Sequence, residues 1–93
     1  MTQEEVRVNV RQFIWENILF DDRFPLDNDQ SLRDSGVIDS TGILEIISFL
    51  EELCQIKFEN SDLVAENFDT INKISRFIVG KLGREEARNN VGG

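Results

Sequence analysis

The sequence predicts an all-α fold, a small four-helix bundle of three main helices and one short helix, with a long loop between helices 1 and 2. Three segments place apolar residues three or four positions apart, as one face of a helix requires. No segment alternates apolar and polar residues as a half-buried strand does. With 93 residues, 40% of them hydrophobic, the chain can bury one modest core, so we expect a single domain over residues 1–83.

The first helix is predicted to begin just after Thr2. Thr2 and Glu5 have the spacing of a capping box, in which each side chain accepts the other residue's backbone N–H. Apolar residues then follow at helical spacing: Val6, Val10, Phe13, Ile14 and Ile18. We expect Trp15 and Phe20 to close the end of this helix against the loop.

Residues 21–38 are predicted to form a long loop, because Pro25 and a cluster of Asp and Asn residues oppose a stable helix. A loop of this length is uncommon in a compact domain unless it is packed down. The expected anchors onto the bundle are Phe24, Leu26, Leu32 and either Val37 or Ile38. A short helical turn is expected near residues 31–34.

The second helix is predicted over residues 40–54. Its inward stripe consists of Ile43, Ile46, Ile47, Leu50, Leu53 and Cys54. Leu44 and Phe49 widen this stripe, so the helix should touch neighbours on more than one side. Gly42 lowers the stability of the first helical turn by about 1 kcal/mol relative to Ala. Either a residue without a side chain is needed here so that another surface can approach closely, or the glycine has no particular role.

Residues 55–61 break the pattern and form a second loop, from which Ile56 and Phe58 should reach back into the core. A short third helix is predicted over residues 62–66, with Ser61 or Asp62 as its cap.

The fourth helix is expected to be capped by Asp69 or Thr70. Its apolar stripe consists of Ile71, Ile74, Phe77, Ile78 and Leu82. Gly83 is the expected end of this helix, and residues 84–93 are expected to be a flexible tail.

Composition narrows the function further. The net charge of −8 disfavours nucleic acid and anionic membranes, and it favours protein partners with basic patches. The absence of His excludes serine triads, Cys–His pairs and His-containing zinc sites within the chain, so we expect neither an enzyme nor a metal site. No secretory signal or membrane-spanning run is visible, and Cys54 is the only cysteine, which together predict a cytoplasmic protein without a disulfide.

The strongest motif lies in residues 34–52, which read D-S-G-V-I-D-S-T-G-I-L-E-I-I-S-F-L-E-E. A loop containing Gly36 delivers Asp39 and Ser40 onto the start of an apolar-periodic helix. Together with N-F-D-T-I-N-K-I at residues 67–74, this segment resembles acyl carrier proteins and the related peptidyl and aminoacyl carrier domains. Thr41 departs from the usual Leu or Met after Asp-Ser, but Asp-Ser-Thr also occurs in free-standing members of that family.

The resemblance implies that Ser40 carries 4'-phosphopantetheine taken from coenzyme A, and that Asp39 contacts the transferase and its metal during loading. The terminal thiol of that group would hold an acyl or aminoacyl group as a thioester and shuttle it between enzymes. The implied partners are a phosphopantetheinyl transferase, an acyl- or aminoacyl-activating ligase, and acyltransferases or synthases with basic docking patches. A monomer is expected.

Seven acidic residues lie between Asp39 and Glu66, and only Lys57 opposes them. The docking face expected from the resemblance consists of Thr41, Leu44, Glu45, Glu51, Glu52, Glu59 and Asp62. The residues expected to line a shelter for the cargo are Ile43, Ile47, Phe68 and Ile71, unless these positions form a closed core.

Other interpretations remain open at this point. Ser40 is also a common helix cap, and an acidic helical adaptor that binds a basic protein without any prosthetic group would share the charge and the bundle. Calcium binding by the loop from Asp27 is disfavoured, because Leu32 and Ile38 stand where an EF-hand needs Gly and Glu. Fatty acyl, polyketide, aminoacyl and D-alanyl carriers share this pattern, so the cargo stays open.

Overall fold

A computed structural model of the protein describes residues 1–91, with side chains as far as Glu85. The described chain forms α1 (Gln3–Ile14), α2 (Ser40–Cys54), α3 (Ala65–Phe68) and α4 (Ile71–Val91). A π-helical turn, Trp15–Leu19, extends α1, and a 3₁₀ turn, Asn60–Asp62, precedes α3. These residues contain no strand, so the predicted all-α bundle with three main helices and one short helix is confirmed.

One hydrophobic core unites the helices. α1 packs mainly against α4, α2 meets α1, and α3 lies on α4. The buried apolar residues are Val6, Val10, Ile14, Leu26, Leu32, Ile38, Ile46, Leu50, Phe68, Ile71, Ile74 and Ile78. Ile56 and Phe58 pack against this core from the second loop, as predicted. Within residues 1–91, no helix combines the length and apolar character that a membrane span requires.

The start of α1 agrees with its prediction, whereas its end differs. Thr2 and Glu5 form the capping box, and the Trp15 indole N–H donates to the Phe24 carbonyl at 2.8 Å. The predicted packing of Phe20 is wrong, because this residue ends the π turn in the left-handed conformation with φ of 54° and its side chain is 80% exposed. The backbone reversal turns the ring away from the bundle.

The long loop is held down by both apolar and polar contacts. Leu26, Leu32 and Ile38 are buried as expected, whereas Phe24 stays 37% exposed, so its predicted role as an anchor is wrong. Phe24 contributes its carbonyl to Trp15 instead. Hydrogen bonds then tie the loop to the start of α4: the Leu32 N–H donates to the Asp69 carbonyl at 2.7 Å, and the Asn72 N–H donates to the Asn28 carbonyl at 2.9 Å. One hydrogen-bonded turn at residues 31–35 matches the predicted helical turn.

α2 has the predicted bounds, but one of its apolar residues does not pack inward. Phe49 stacks on Phe13 with ring centroids 4.4 Å apart, which widens the buried stripe as expected. Leu44 is 63% exposed, so its predicted inward packing is wrong. No neighbouring element covers that side of α2 within the described chain, and an apolar side chain is left on its surface.

The third helix begins later than predicted. Residues 60–62 form a 3₁₀ turn and α3 covers Ala65–Phe68, so the predicted helix over residues 62–66 with a cap at Ser61 or Asp62 is wrong. The Asp62 carboxylate is engaged elsewhere: it accepts the Glu59 N–H at 2.9 Å and pairs with Lys81 Nζ at 2.9 Å. Asp62 is thus held at the end of the 3₁₀ turn, and α3 begins only after Val64.

Thr70, one of the two predicted residues, is the N-cap of α4. The Thr70 hydroxyl accepts the Lys73 N–H at 2.9 Å, and Ile71, Ile74 and Ile78 are buried as predicted. The predicted end at Gly83 is wrong, because α4 continues through this residue to Val91. Part of the tail expected at residues 84–93 is therefore helical backbone, and residues 92–93 lie outside the described chain. The flexibility of this segment stays a prediction.

Position 42 requires glycine because the Ile38 side chain approaches its backbone closely. A Cβ atom at this position would lie 2.5 Å from Ile38 Cγ2, and Ile38 is itself buried. We expect Gly42→Ala to destabilise the fold by roughly 1 kcal/mol, because overpacking of about 1–3 kcal/mol exceeds the gain in helix propensity of about 1 kcal/mol. Urea unfolding measures the free energy of unfolding of Gly42→Ala and of the control Gly83→Ala. At position 83 an added Cβ atom would meet no described heavy atom within 4 Å outside the helix's own backbone. A Gly42→Ala variant as stable as its parent would contradict this packing.

Candidate functional site

The loop before α2 is fixed immediately ahead of Asp39. Gly36 has a φ of 79°, a region that L-residues other than Gly rarely adopt. The Ile38 N–H donates to the Leu32 carbonyl at 3.0 Å, and both side chains are buried. The chain therefore enters α2 from a rigid position.

Asp39, not Ser40, is the N-cap of α2. Its Oδ1 accepts the Gly42 N–H at 2.8 Å, which satisfies one of the free donors of the first turn. Ser40 is the first helical residue and is exposed. In the described part of the chain, its hydroxyl makes no hydrogen bond. The interpretation of Ser40 as the helix cap is thus wrong, and its hydroxyl is left free for another use.

The surroundings of Ser40 do not activate this hydroxyl. The chain contains no His, and the neighbouring Asp39 carboxylate is occupied by the cap. A serine without an adjacent base is a weak nucleophile, so any reaction at Ser40 needs a base from another protein. Burial also raises the pKa of the Cys54 thiol, at the other end of α2, which favours its protonated form.

An apolar cleft opens beside Ser40. It has a volume of about 260 Å³ and lies between α2 and the segment that leads into α3. Its lining residues are Arg33, Ser40, Ile43, Leu44, Ile47, Leu63, Val64, Ala65, Phe68 and Asp69. Leu44, Leu63 and Val64 are 63%, 45% and 46% exposed, so they form an apolar rim around it.

Three of the four predicted cargo-lining residues meet in this cleft. Ile43 and Ile47 line it from α2, and Phe68 lines it from α3. Ile71 is fully buried behind them in the core and does not line the cleft.

The predicted docking residues separate into two groups. The exposed members are Thr41, Leu44, Glu45, Glu52 and Glu59. Glu51 and Asp62 are half-buried and already bonded within the chain: Glu51 accepts the Phe58 N–H at 2.9 Å, and Asp62 pairs with Lys81. Their carboxylates hold the second loop in place.

Five residues that line the cleft are not among the site residues predicted from the sequence: Arg33, Leu63, Val64, Ala65 and Asp69. Leu63 and Val64 form a consecutive apolar pair in a segment that was predicted to be helical, and this pair was the available signal. Arg33 and Asp69 meet at the cleft only because the long loop folds onto the start of α4, where the Ser31 hydroxyl donates to Asp69 Oδ1 at 2.7 Å.

Comparison with known proteins gives a consistent set of relatives. The chain is 46% identical over 46 residues to a D-alanyl carrier protein of Streptococcus uberis. It is 41% identical over the same length to D-alanyl carrier proteins of Streptococcus equi subsp. zooepidemicus and subsp. equi. Across half of its length, the chain is similar to proteins named as carrier proteins. Each alignment covers 50% of this chain and 58% of the relative, and no protein-family model matches. The relatives are named as carrier proteins and not as enzymes.

Proposed function

We propose that the protein is a free-standing carrier in which Ser40 bears 4'-phosphopantetheine and the terminal thiol of that group holds an acyl or aminoacyl group as a thioester. The observation that carries the proposal is the exposed, unbonded Ser40 hydroxyl at the edge of an apolar cleft. The residues present fit the group: a hydroxyl is available to form the phosphodiester, and apolar side chains beside it can cover a flexible organic arm.

Loading then requires an external enzyme. Ser40 Oγ attacks the phosphorus nearer to pantetheine in coenzyme A, a new O–P bond forms, and adenosine bisphosphate leaves with the oxygen of the broken pyrophosphate bond. The proton of the hydroxyl passes to a base of the transferase, since the chain offers none at this point. The role of the chain is to present one hydroxyl on a rigid helix start.

We test this proposal by incubating the unloaded protein with coenzyme A, Mg²⁺ and a broad-specificity phosphopantetheinyl transferase, and by recording its intact mass. The expected result is a single added phosphopantetheine. An acidic adaptor without a prosthetic group would keep its original mass with every transferase, and that result would exclude the carrier function.

For the cargo, we propose a short aminoacyl group. The cleft volume of about 260 Å³ lies near the lower end of the roughly 300–1,000 Å³ of typical small-molecule pockets, which favours a small cargo. The names of the relatives support D-alanine as the first group to try. With a D-alanine-activating ligase and ATP, the loaded protein should gain one alanyl unit. Gain of a long acyl group from an acyl-activating ligase, without gain of alanine, would contradict this cargo.

We also propose that partner enzymes dock on the exposed part of α2 around Leu44, Glu45 and Glu52. The carboxylates attract a basic patch, and Leu44 offers an apolar contact at its centre. The double variant Glu45→Gln/Glu52→Gln should lower kcat/KM for loading about threefold to tenfold at low salt, because each exposed charge pair contributes up to about 1 kcal/mol.

Glu4→Gln is the matched control, since Glu4 is exposed in the first turn of α1 and lies away from the cleft. The defect of the double variant should shrink as salt is added, because salt screens exposed charges. Equal loading rates for the double variant, the Glu4 control and the parent would rule out this docking face.

A further inference from the structure

The cleft beside Ser40 contains one cationic side chain, that of Arg33. Among the described residues that line the cleft, the other charged group is the Asp69 carboxylate. Arg33 is exposed, and within the described chain its guanidinium takes part in no hydrogen bond or ion pair. In a chain with a net charge of −8, acidic groups outnumber basic ones, yet among the described residues Arg33 has no acidic partner and is available to a bound anion.

The backbone that carries Arg33 is firmly held. Leu32, its neighbour, is fully buried, and the Leu32 N–H donates to the Asp69 carbonyl at 2.7 Å. On the other side, the Gly36 N–H donates to the Arg33 carbonyl at 3.1 Å. Arg33 therefore lines the same cleft as Ser40 from a fixed turn of the backbone.

The carboxylates of Asp39 and Asp69 already accept hydrogen bonds. Asp39 Oδ1 accepts the Gly42 N–H at 2.8 Å, and Asp69 Oδ1 accepts the Ser31 hydroxyl at 2.7 Å. Neither carboxylate lies within 4.0 Å of the guanidinium as an ion pair. The five N–H donors of Arg33 thus remain available to a further anion.

We propose that Arg33 binds the phosphodiester of the group attached to Ser40, and so fixes the base of the arm over the cleft. This inference rests on the proposed function, because the phosphodiester exists only after loading. The planar fork of a guanidinium matches two phosphate oxygens, which a lysine ammonium cannot reproduce. The same contact offsets the repulsion between the new phosphodiester and the carboxylate of Asp39.

The test compares loaded and unloaded forms of the parent, Arg33→Gln, Arg33→Lys and Arg76→Gln. Arg76 is exposed on α4 and does not line the cleft, so its variant is the control for the loss of one positive charge. At low salt, the Tm change on loading should be more favourable in the parent than in Arg33→Gln by roughly 2–5 °C, with Arg33→Lys between them. Arg76→Gln should behave like the parent.

Nuclear magnetic resonance supplies the second readout. On loading, the Arg33 Nε–H signal should shift in the parent, and the ³¹P signal of the phosphodiester should differ between the parent and Arg33→Gln. Identical Tm changes and identical ³¹P signals in all four proteins would overturn the role of Arg33 while leaving Ser40 loading intact. Absence of any mass adduct on the parent would instead remove the proposed function itself.

Discussion

Replacing Asp62 with Asn should lower the free energy of unfolding at pH 7 by about 2 kcal/mol, between the losses expected for an exposed and for a buried ion pair, because Lys81 is buried and Asp62 is half-buried. Asp62 Oδ2 lies 2.9 Å from Lys81 Nζ, and the side chains are only 13% and 7% exposed. Glu85 Oε1, at 4.0 Å from Lys81 Nζ, is too distant to replace Asp62 fully. The variant therefore leaves a buried ammonium without a close counter-charge. Urea unfolding followed by circular dichroism measures the effect.

The double variant Asp62→Asn/Lys81→Met is the matched control. It removes both charges and keeps a side chain of similar volume at position 81, so it should be more stable than Asp62→Asn alone. A double variant less stable than the single one would show that the ion pair is not the source of the loss.

The same pair predicts how stability depends on pH. Burial raises the pKa of Asp62, but the Glu59 N–H and the Lys81 ammonium outweigh burial and hold the pKa below its ordinary value. A lowered pKa means that this stabilisation is complete above the unfolded-chain pKa of about 4 and is lost as the pH falls through the folded value. The parent should lose stability more steeply below about pH 4 than Asp62→Asn does. If the free energy of unfolding fell equally with pH in the parent and in Asp62→Asn, the lowered pKa of Asp62 would be contradicted.

Ser40→Ala should eliminate loading completely, because the proposed phosphodiester has no other oxygen at this position. The Ser40 side chain is exposed and unbonded in the described chain, so its loss should leave the Tm within about 2 °C of the parent. Intact mass after incubation with coenzyme A and transferase gives the first result, and thermal unfolding gives the second.

Ser35→Ala is the control for this substitution, since Ser35 lies in the loop that precedes α2 and is also exposed. It should load like the parent. Full loading of Ser40→Ala would refute the proposed attachment site even if the protein proved to be a carrier.

The helices that carry strong local signals could be predicted from the sequence. The capping box at Thr2, the apolar period of α2 and the Thr70 cap are all local features, and each occurs in the structure. Asp39 and Ser40 were correctly placed at the start of α2, although the division of roles between them needed the hydrogen bond from Gly42 to Asp39.

The features that were missed depend on contacts between distant residues or on unusual backbone. Asp62 pairs with Lys81 and does not cap the third helix, and sequence spacing does not reveal this contact. Phe20 adopts a left-handed conformation that an aromatic residue rarely takes, so composition gave no sign that its ring is exposed. Arg33 reaches the cleft because the long loop is tied to α4.

The central claim is that one serine, Ser40, is the attachment point for the carrier's prosthetic group. Fragmentation of the loaded protein in a mass spectrometer tests it most directly, because the fragments locate the added mass on the chain. We predict that every fragment containing Ser40 carries one phosphopantetheine and that no other fragment does. A chain that gains no mass with any transferase, or one whose added mass lies on Ser35 or Ser48, would contradict the claim.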